Sequence, residues 1–220
     1  MTTKCQRAVL ATMFPEAPSG STFFYEQHLR QQNYSFPAGL DEAGRGPLAG
    51  PVVASCVILS PACDFSRYKD SKKLSPSRRE RLYAELDDSD AIIGVGIASP
   101  AEIDQINILQ ASLLAMQRAV SDCADNRPDF LLIDGTFKVP VDLPQLTLVK
   151  GESKSASIAA ASIIAKVTRD RLMAAYHEQY PQYNFLQHKG YPTQAHRAAL
   201  AELGPSPIHR KTFKGVKEFI

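Results

Sequence analysis

Hydrophobic and polar positions divide the 220-residue chain into regions of different period. Residues 1 to about 35 show weak periodicity interrupted by Pro15, Pro18 and Gly20, with one short helix expected near Phe24–Gln32. Three strands are expected next. Ala38–Ala43 stops at Gly44-Arg45-Gly46-Pro47. Val52–Leu59 is a continuous apolar run rich in β-branched residues, as in a strand buried on both faces, and Ala91–Ala98 is the third. Ser75-Pro76 supplies an N-cap and a first-turn proline for a helix to about Leu86. Ser99-Pro100-Ala101-Glu102 is a capping box. After it Ile103, Ile106, Leu109, Leu113, Met116 and Val120 recur at helical spacing and predict one core-facing stripe. Phe130–Ile133 and Leu146–Val149 read as short strands. A long helix covers about Ser155–Tyr180, and Thr193 caps a last helix that Gly204-Pro205 ends. Clustered strands followed by helices alternating with two more strands predict an α/β fold with a mixed sheet.

Composition narrows the class without changing that picture. With 44% hydrophobic and 22% charged residues the chain is neither disordered nor collagen-like. No apolar run approaches the roughly 20 residues that span a bilayer, and no signal peptide is visible, so a cytoplasmic protein is expected. Cys5, Cys56, Cys63 and Cys123 form no CxxC pair, which leaves free thiols as the expectation. The net charge of +2 hides a patchwork. Between Arg67 and Arg81, basic residues at 67, 69, 72, 73, 78, 79 and 81 face only Asp70 and Glu80, and the segment after Leu186 is also basic. Such segments suit an anionic polymer, or are simply solvated helix faces.

Candidate chemistry lies mainly in carboxylates at strand ends. Asp41 and Glu42 close an apolar strand just before the glycine-bracketed Arg45. Clustered carboxylates repel unless a cation or a proton compensates, and an ordinary acidic turn is the alternative. Successive strand residues point to opposite faces, so the two reach one site only if the strand bends, which Gly44 and Gly46 allow. Asp134 ends the strand Phe130–Ile133 before Gly135, where ligands collect in open α/β sheets. Asp170 shares a face of the long helix with Ile163, Val167 and Ala174, and Lys166, one turn before it, is its plain ion-pair partner. Together the four carboxylates suggest a site for hard divalent cations of the magnesium or manganese type.

Other segments fail as nucleotide-binding motifs. Lys150-Gly151-Glu-Ser-Lys154-Ser155 resembles the end of a P-loop, but its glycine lies three residues before the lysine and the first glycine is missing. Lys150, Lys154 and Ser155 remain candidates for a substrate phosphate near a helix start. Gly44-Arg45-Gly46 is no dinucleotide fingerprint. His188 and His196 lack metal-ligand spacing, whereas Tyr191, in His188-Lys-Gly-Tyr-Pro-Thr193, suits stacking on a sugar or base.

Five ordered segments resemble the bacterial type 2 ribonucleases H, the ribonuclease HII family, over roughly Phe36 to Phe213. They are residues 39–54, Asp70-Ser-Lys-Lys-Leu-Ser75, Ile133-Asp-Gly135, residues 150–171 and residues 188–193. The resemblance implies a ribonuclease H-like fold with a central mixed sheet flanked by helices and a helical C-terminal part. It places residues 36–220 in the catalytic domain and leaves 1–35 as an N-terminal extension. It implies hydrolysis of the RNA strand of RNA/DNA hybrids, and nicking 5′ of a ribonucleotide embedded in duplex DNA, to leave 3′-hydroxyl and 5′-phosphate ends. Two Mg2+ or Mn2+ ions would sit on Asp41, Glu42, Asp134 and Asp170. Gly44, Arg45 and Gly46 would read the 2′-hydroxyl, largely through the backbone, and Tyr191 would stack under the sugar at the RNA-to-DNA junction. Lys72, Lys150, Lys154 and Ser155 would complete the substrate contacts, in a monomer without membrane association. A different metal-dependent phosphoryl-transfer enzyme would need the carboxylates but not the Gly44–Gly46 segment or Tyr191. A non-catalytic nucleic-acid binder would not depend on the carboxylates.

Overall fold

The computed structural model describes residues 18, 21–68, 74–123 and 127–220. Strands β1 (Pro37–Ala43), β2 (Val52–Ile58), β3 (Ile92–Ala98), β4 (Phe130–Asp134) and β5 (Gln145–Leu148) form one sheet in the order β3-β2-β1-β4-β5. The pairs β1/β2 and β2/β3 are antiparallel, whereas β1/β4 and β4/β5 are parallel. The sheet is therefore mixed, with β1 at its centre pairing Leu40 with Cys56 on one side and Ile133 on the other. Every residue of β2 is buried, as its unbroken apolar run requires.

Before, between and after the strands run α1 (Phe24–Gln31), α2 (Pro76–Asp87), α3 (Pro100–Asp122), α4 (Ala156–Gln179), the single turn α5 (Phe185–His188) and α6 (Gln194–Leu203). Ser75 accepts from Arg78 N–H and Thr193 from His196 N–H, as expected, and Ser155 caps the long helix by accepting from Ile158 N–H. Ser99 and Glu102 form the reciprocal capping box, and Arg118 then holds the Glu102 carboxyl down at about 2.

Strand parity sorts the core into two layers. Ala38 and Leu40 of β1, with Leu131 and Ile133 of β4, meet Ile103, Ala115, Met116 and Ala119 of α3. The opposite face meets α4. There Gly39 leaves room for the helix start, since a Cβ on it would lie 2.1 Å from the carbonyl carbon of Ser157. Phe130 and Leu132 point the same way, against Ile158 and against Tyr25 and Leu29 of α1. Residues 21–35 thus pack on the sheet, although the sequence assigns them to an extension. Glu26 reaches into the interior, where Ser155 Oγ (2.6 Å) and Ser157 N–H (3.0 Å) donate to its carboxylate at the start of α4.

One expected stripe is broken. The periodicity from Ile103 to Val120 predicts a single face, but Asn107 adopts φ 66°, ψ 165° within α3 and its Oδ1 accepts from the N–H of Leu109 and Gln110. Asn107 thereby acts as an N-cap in mid-pattern and leaves Ile106 exposed. Cys56, Cys63 and Cys123 are free thiols, while Cys5 lies outside the described residues. Among the described residues, no helix is long and apolar enough to cross a membrane.

The C-terminal part is held by histidines. Ser206 N–H donates to His209 Nδ1 (2.9 Å), which leaves the His209 proton on Nε2. That proton is given to His196 Nε2 (2.9 Å), so His196 is protonated at Nδ1 and donates to the carbonyl of Tyr191 (2.9 Å). Both rings are buried, and loss of hydration pushes each imidazolium pKa down to about 4. A histidine with a depressed folded pKa contributes stability that is complete above its unfolded value near 6.5 and is lost as pH falls towards 4. Thermal melts should accordingly show the midpoint falling on the order of 5 °C between pH 7 and pH 5, and His209→Gln should flatten that slope.

Candidate active site

The parity that builds the core also separates the two adjacent carboxylates. Asp41 lies on the α4 face of β1, the side of Gly39, and Glu42 lies on the α3 face. The strand does not bend between them, since pairing with β2 continues in register through Ala43 and Val53. The bend that Gly44 and Gly46 would allow is therefore not present between them, and the two side chains flank the end of the sheet. Asp134 ends β4 on the α4 face, beside Asp41. Its Oδ1 accepts from Gly151 N–H at 2.6 Å, which anchors the turn of residues 151–153 against the strand end.

That turn carries a carboxylate to which the sequence reading gave no role. Glu152 is 7% exposed, and one oxygen each from Asp41, Asp134 and Glu152 lie within 4.8 Å of one another. Glu42 is not one of these three, and Arg45 Nη1 lies 3.4 Å from its Oε1. With Asp134, Arg45 and Phe137 it lines a cavity of about 80 Å³ whose far wall is Leu109, Ser112, Leu113 and Met116 of α3. Asp134 is common to both places and joins them. Asp170 is not in the cluster: Lys166 Nζ lies 2.6 Å from its Oδ1, the ion pair expected one turn away on a helix.

Burial, followed by the negative charges of Glu42, Glu152 and Asp134, raises the Asp41 carboxyl well above the usual carboxylate range. Crowded oxygen donors fit a hard divalent cation: all ligand atoms are oxygens and the charge demanded is positive.

The substrate-side expectations divide in the same way. Arg45 and Gly46 are exposed on the loop after β1, and Tyr191 is 42% exposed beside them; a Cβ on Gly46 would lie 3.7 Å from Tyr191 Cε1. Gly44 is buried at φ 100°, and a Cβ there would stand 2.1 Å from Arg169 Nε, so the turn requires glycine. Lys150 is exposed, in the left-handed region at φ 57°, and Lys154 is half-buried. Ser155 is corrected: it is fully buried and committed to Glu26 and Ile158, because capping α4 draws its hydroxyl inward. Lys72 lies outside the described residues.

Two arginines also escaped the sequence reading. Arg169 and Arg210 are both fully buried and donate to carbonyls of the loop after β1. In the sequence they look like any other basic residues. The one hint is that Arg169 continues the buried stretch of α4.

The chain matches the family model for ribonuclease HII over residues 38–216. It is 58% identical over 200 residues to a ribonuclease HII of Desulfotalea psychrophila, covering 90% of this chain and 89% of that one. It is 53% identical over 209 residues to one of Geobacter sulfurreducens, covering 95% and 96%. The crystal structure of the ribonuclease H2 from Pyrococcus horikoshii OT3 superposes with a TM-score of 0.68 at 28% identity, over 83% of this chain and 96% of that one.

Neutralising one member of the crowded cluster should relieve repulsion and abolish the need for a cation. Asp41→Asn is expected to raise the melting temperature in EDTA by about 2–4 °C, the response of a domain this size to roughly 1 kcal/mol. The same variant should lose most of the stabilisation that Mn2+ gives the parent protein, as measured by paired melts with and without the ion.

Proposed function

The chain belongs to the ribonuclease HII family of ribonuclease H endonucleases, and on that footing we propose that it cleaves the RNA strand of RNA/DNA hybrids and nicks 5′ of ribonucleotides embedded in duplex DNA. The ends left are a 3′-hydroxyl and a 5′-phosphate. The observation that carries this reading is the juxtaposition of the carboxylate cluster at the ends of β1 and β4 with the exposed Arg45–Gly46 segment and Tyr191. A merely metal-dependent phosphoryl-transfer site has no use for that second feature.

Ribonucleases H are metal-dependent, and the buried acidic cluster fits that requirement. Asp41, Glu42, Asp134 and Asp170 would hold Mg2+ or Mn2+, two ions when substrate is bound, with Glu152 beside them. Such ions supply Lewis-acid stabilisation of the charge that builds on the scissile phosphate. The protein side chains do the rest. Gly151 N–H fixes the carboxylate of Asp134, so the donor set is preorganised along one edge. Asp170 must give up Lys166 to join the set, and a phosphate arriving nearby offers the lysine another partner. Lys72, Lys150 and Lys154 would meet backbone phosphates, which position the duplex without reading its sequence. The Gly44–Gly46 segment would contact the 2′-hydroxyl that distinguishes RNA from DNA, and Tyr191 would stack against the neighbouring sugar.

Cleavage of a DNA duplex containing one ribonucleotide, with and without Mg2+ or Mn2+, tests the reading. A metal-dependent nick on the 5′ side of that ribonucleotide is expected. Asp134→Asn should reduce the rate by at least about a hundredfold, while leaving the duplex dissociation constant within about threefold. Wild-type cleavage by that variant, or binding without cleavage by the parent protein, would refute it.

A further inference from the structure

Arg169 and Arg210 place two guanidinium groups in the interior, each fully buried, and among the described residues neither forms an ion pair. Dehydrating such a group costs several kcal/mol unless its N–H groups find acceptors. Here the acceptors are backbone carbonyls. Arg169 donates to Pro51 (3.0 Å), Ala49 (3.1 Å) and Lys189 (3.1 Å). Arg210 donates to Gly50 (3.0 Å), Arg45 (2.9 Å), Pro51 (3.3 Å) and Gly44. Burial lowers the two guanidinium pKa values to about 10 and about 9 respectively, so both stay charged at neutral pH.

We infer that Arg210, braced by Arg169, is a positioning residue that turns two consecutive amide N–H groups, those of Arg45 and Gly46, outward as a fixed donor pair for the 2′-hydroxyl of a ribonucleotide. This rests on the proposed substrate. The geometry follows from the planar trans peptide, in which C=O and N–H point in opposite directions. Arg210 pulls the carbonyls of Gly44 and Arg45 inward, so the N–H groups that share those peptide planes, on Arg45 and Gly46, point the other way. Both residues are exposed, and neither N–H makes a hydrogen bond among the described residues.

Arg169 extends the same framework to the stacking residue. Its bond to the carbonyl of Lys189 ties down the loop that leads to Tyr191, and its guanidinium carbon lies 6.0 Å from the Tyr191 ring centroid. The donor pair and the aromatic ring are thus set against one another by two neighbouring cations. Lysine cannot replace either one, because a single ammonium offers donors from one point and cannot span carbonyls that a planar fork reaches together. The donor pair would also suit a phosphate oxygen, but phosphates occur in every duplex, and that difference makes the inference testable.

The test measures binding of Arg210→Lys and Arg169→Lys by fluorescence anisotropy in EDTA. The ligands are a DNA duplex with one ribonucleotide and the same duplex entirely of DNA, and near-UV circular dichroism checks the fold. The parent protein should prefer the ribonucleotide duplex. Arg210→Lys should reduce that preference about tenfold while its affinity for the all-DNA duplex stays within about twofold. An unchanged preference in a folded variant overturns the inference, and so does an equal loss for both duplexes, which would assign the donors to phosphate. A parent protein with no preference overturns the proposed substrate itself. If Arg210→Lys does not fold, Arg169→Lys decides on the same two duplexes: a reduced preference with unchanged all-DNA affinity is expected, and an unchanged preference or an equal loss overturns the inference.

Discussion

Like charges do not gather in a protein interior unless the chain forces them to, and here Asp41, Asp134 and Glu152 are forced within 4.8 Å of one another. Much of the fold supplies that force. The parallel pairing of β1 with β4 sets two strand ends side by side. Hydrophobic layers on both faces of the sheet fix the direction in which each strand-end residue points. The Gly151 amide locks the turn that brings in the third carboxylate. Each carboxylate comes from a different chain segment, so the repulsion cannot be relieved by a local adjustment. An added positive charge or a proton relieves it, and the metal dependence of the ribonuclease H family meets that demand.

Period and caps made most of the fold legible. Ser75, Ser99, Ser155 and Thr193 each cap the helix that the sequence predicts for it, and the apolar run of β2 is buried throughout. These signals are local: a cap acts over three residues and a strand's burial is written in its own side chains. Asn107 shows the limit. Hydrophobic spacing runs straight through it, and only the competing side-chain bonds to Leu109 and Gln110 interrupt the helix.

The site was legible in its strand-end carboxylates and obscure in its supports. Asp41 and Asp134 stand where strands end, a position visible in the sequence. Glu152 lies in a turn with no such marker. Strand parity, known from the sequence, sends Asp41 and Glu42 to opposite faces, and the strand carries no bend between them. Arg169 and Arg210 were hidden for a different reason. An arginine whose partners are carbonyls distant in sequence carries no local sign of burial, and composition counts it among the surface charges.

The distance in sequence between Arg210 and the carbonyls it holds also orders events in time. Those partners lie 159 to 166 positions upstream, whereas the three clustered carboxylates all lie between residues 41 and 152. During synthesis the acidic cluster can assemble before residue 210 has left the ribosome, but the loop of residues 44–51 cannot take its final form. The loop beside the acidic cluster therefore takes its final form last, when the C-terminal segment docks and Arg210 reaches its carbonyls.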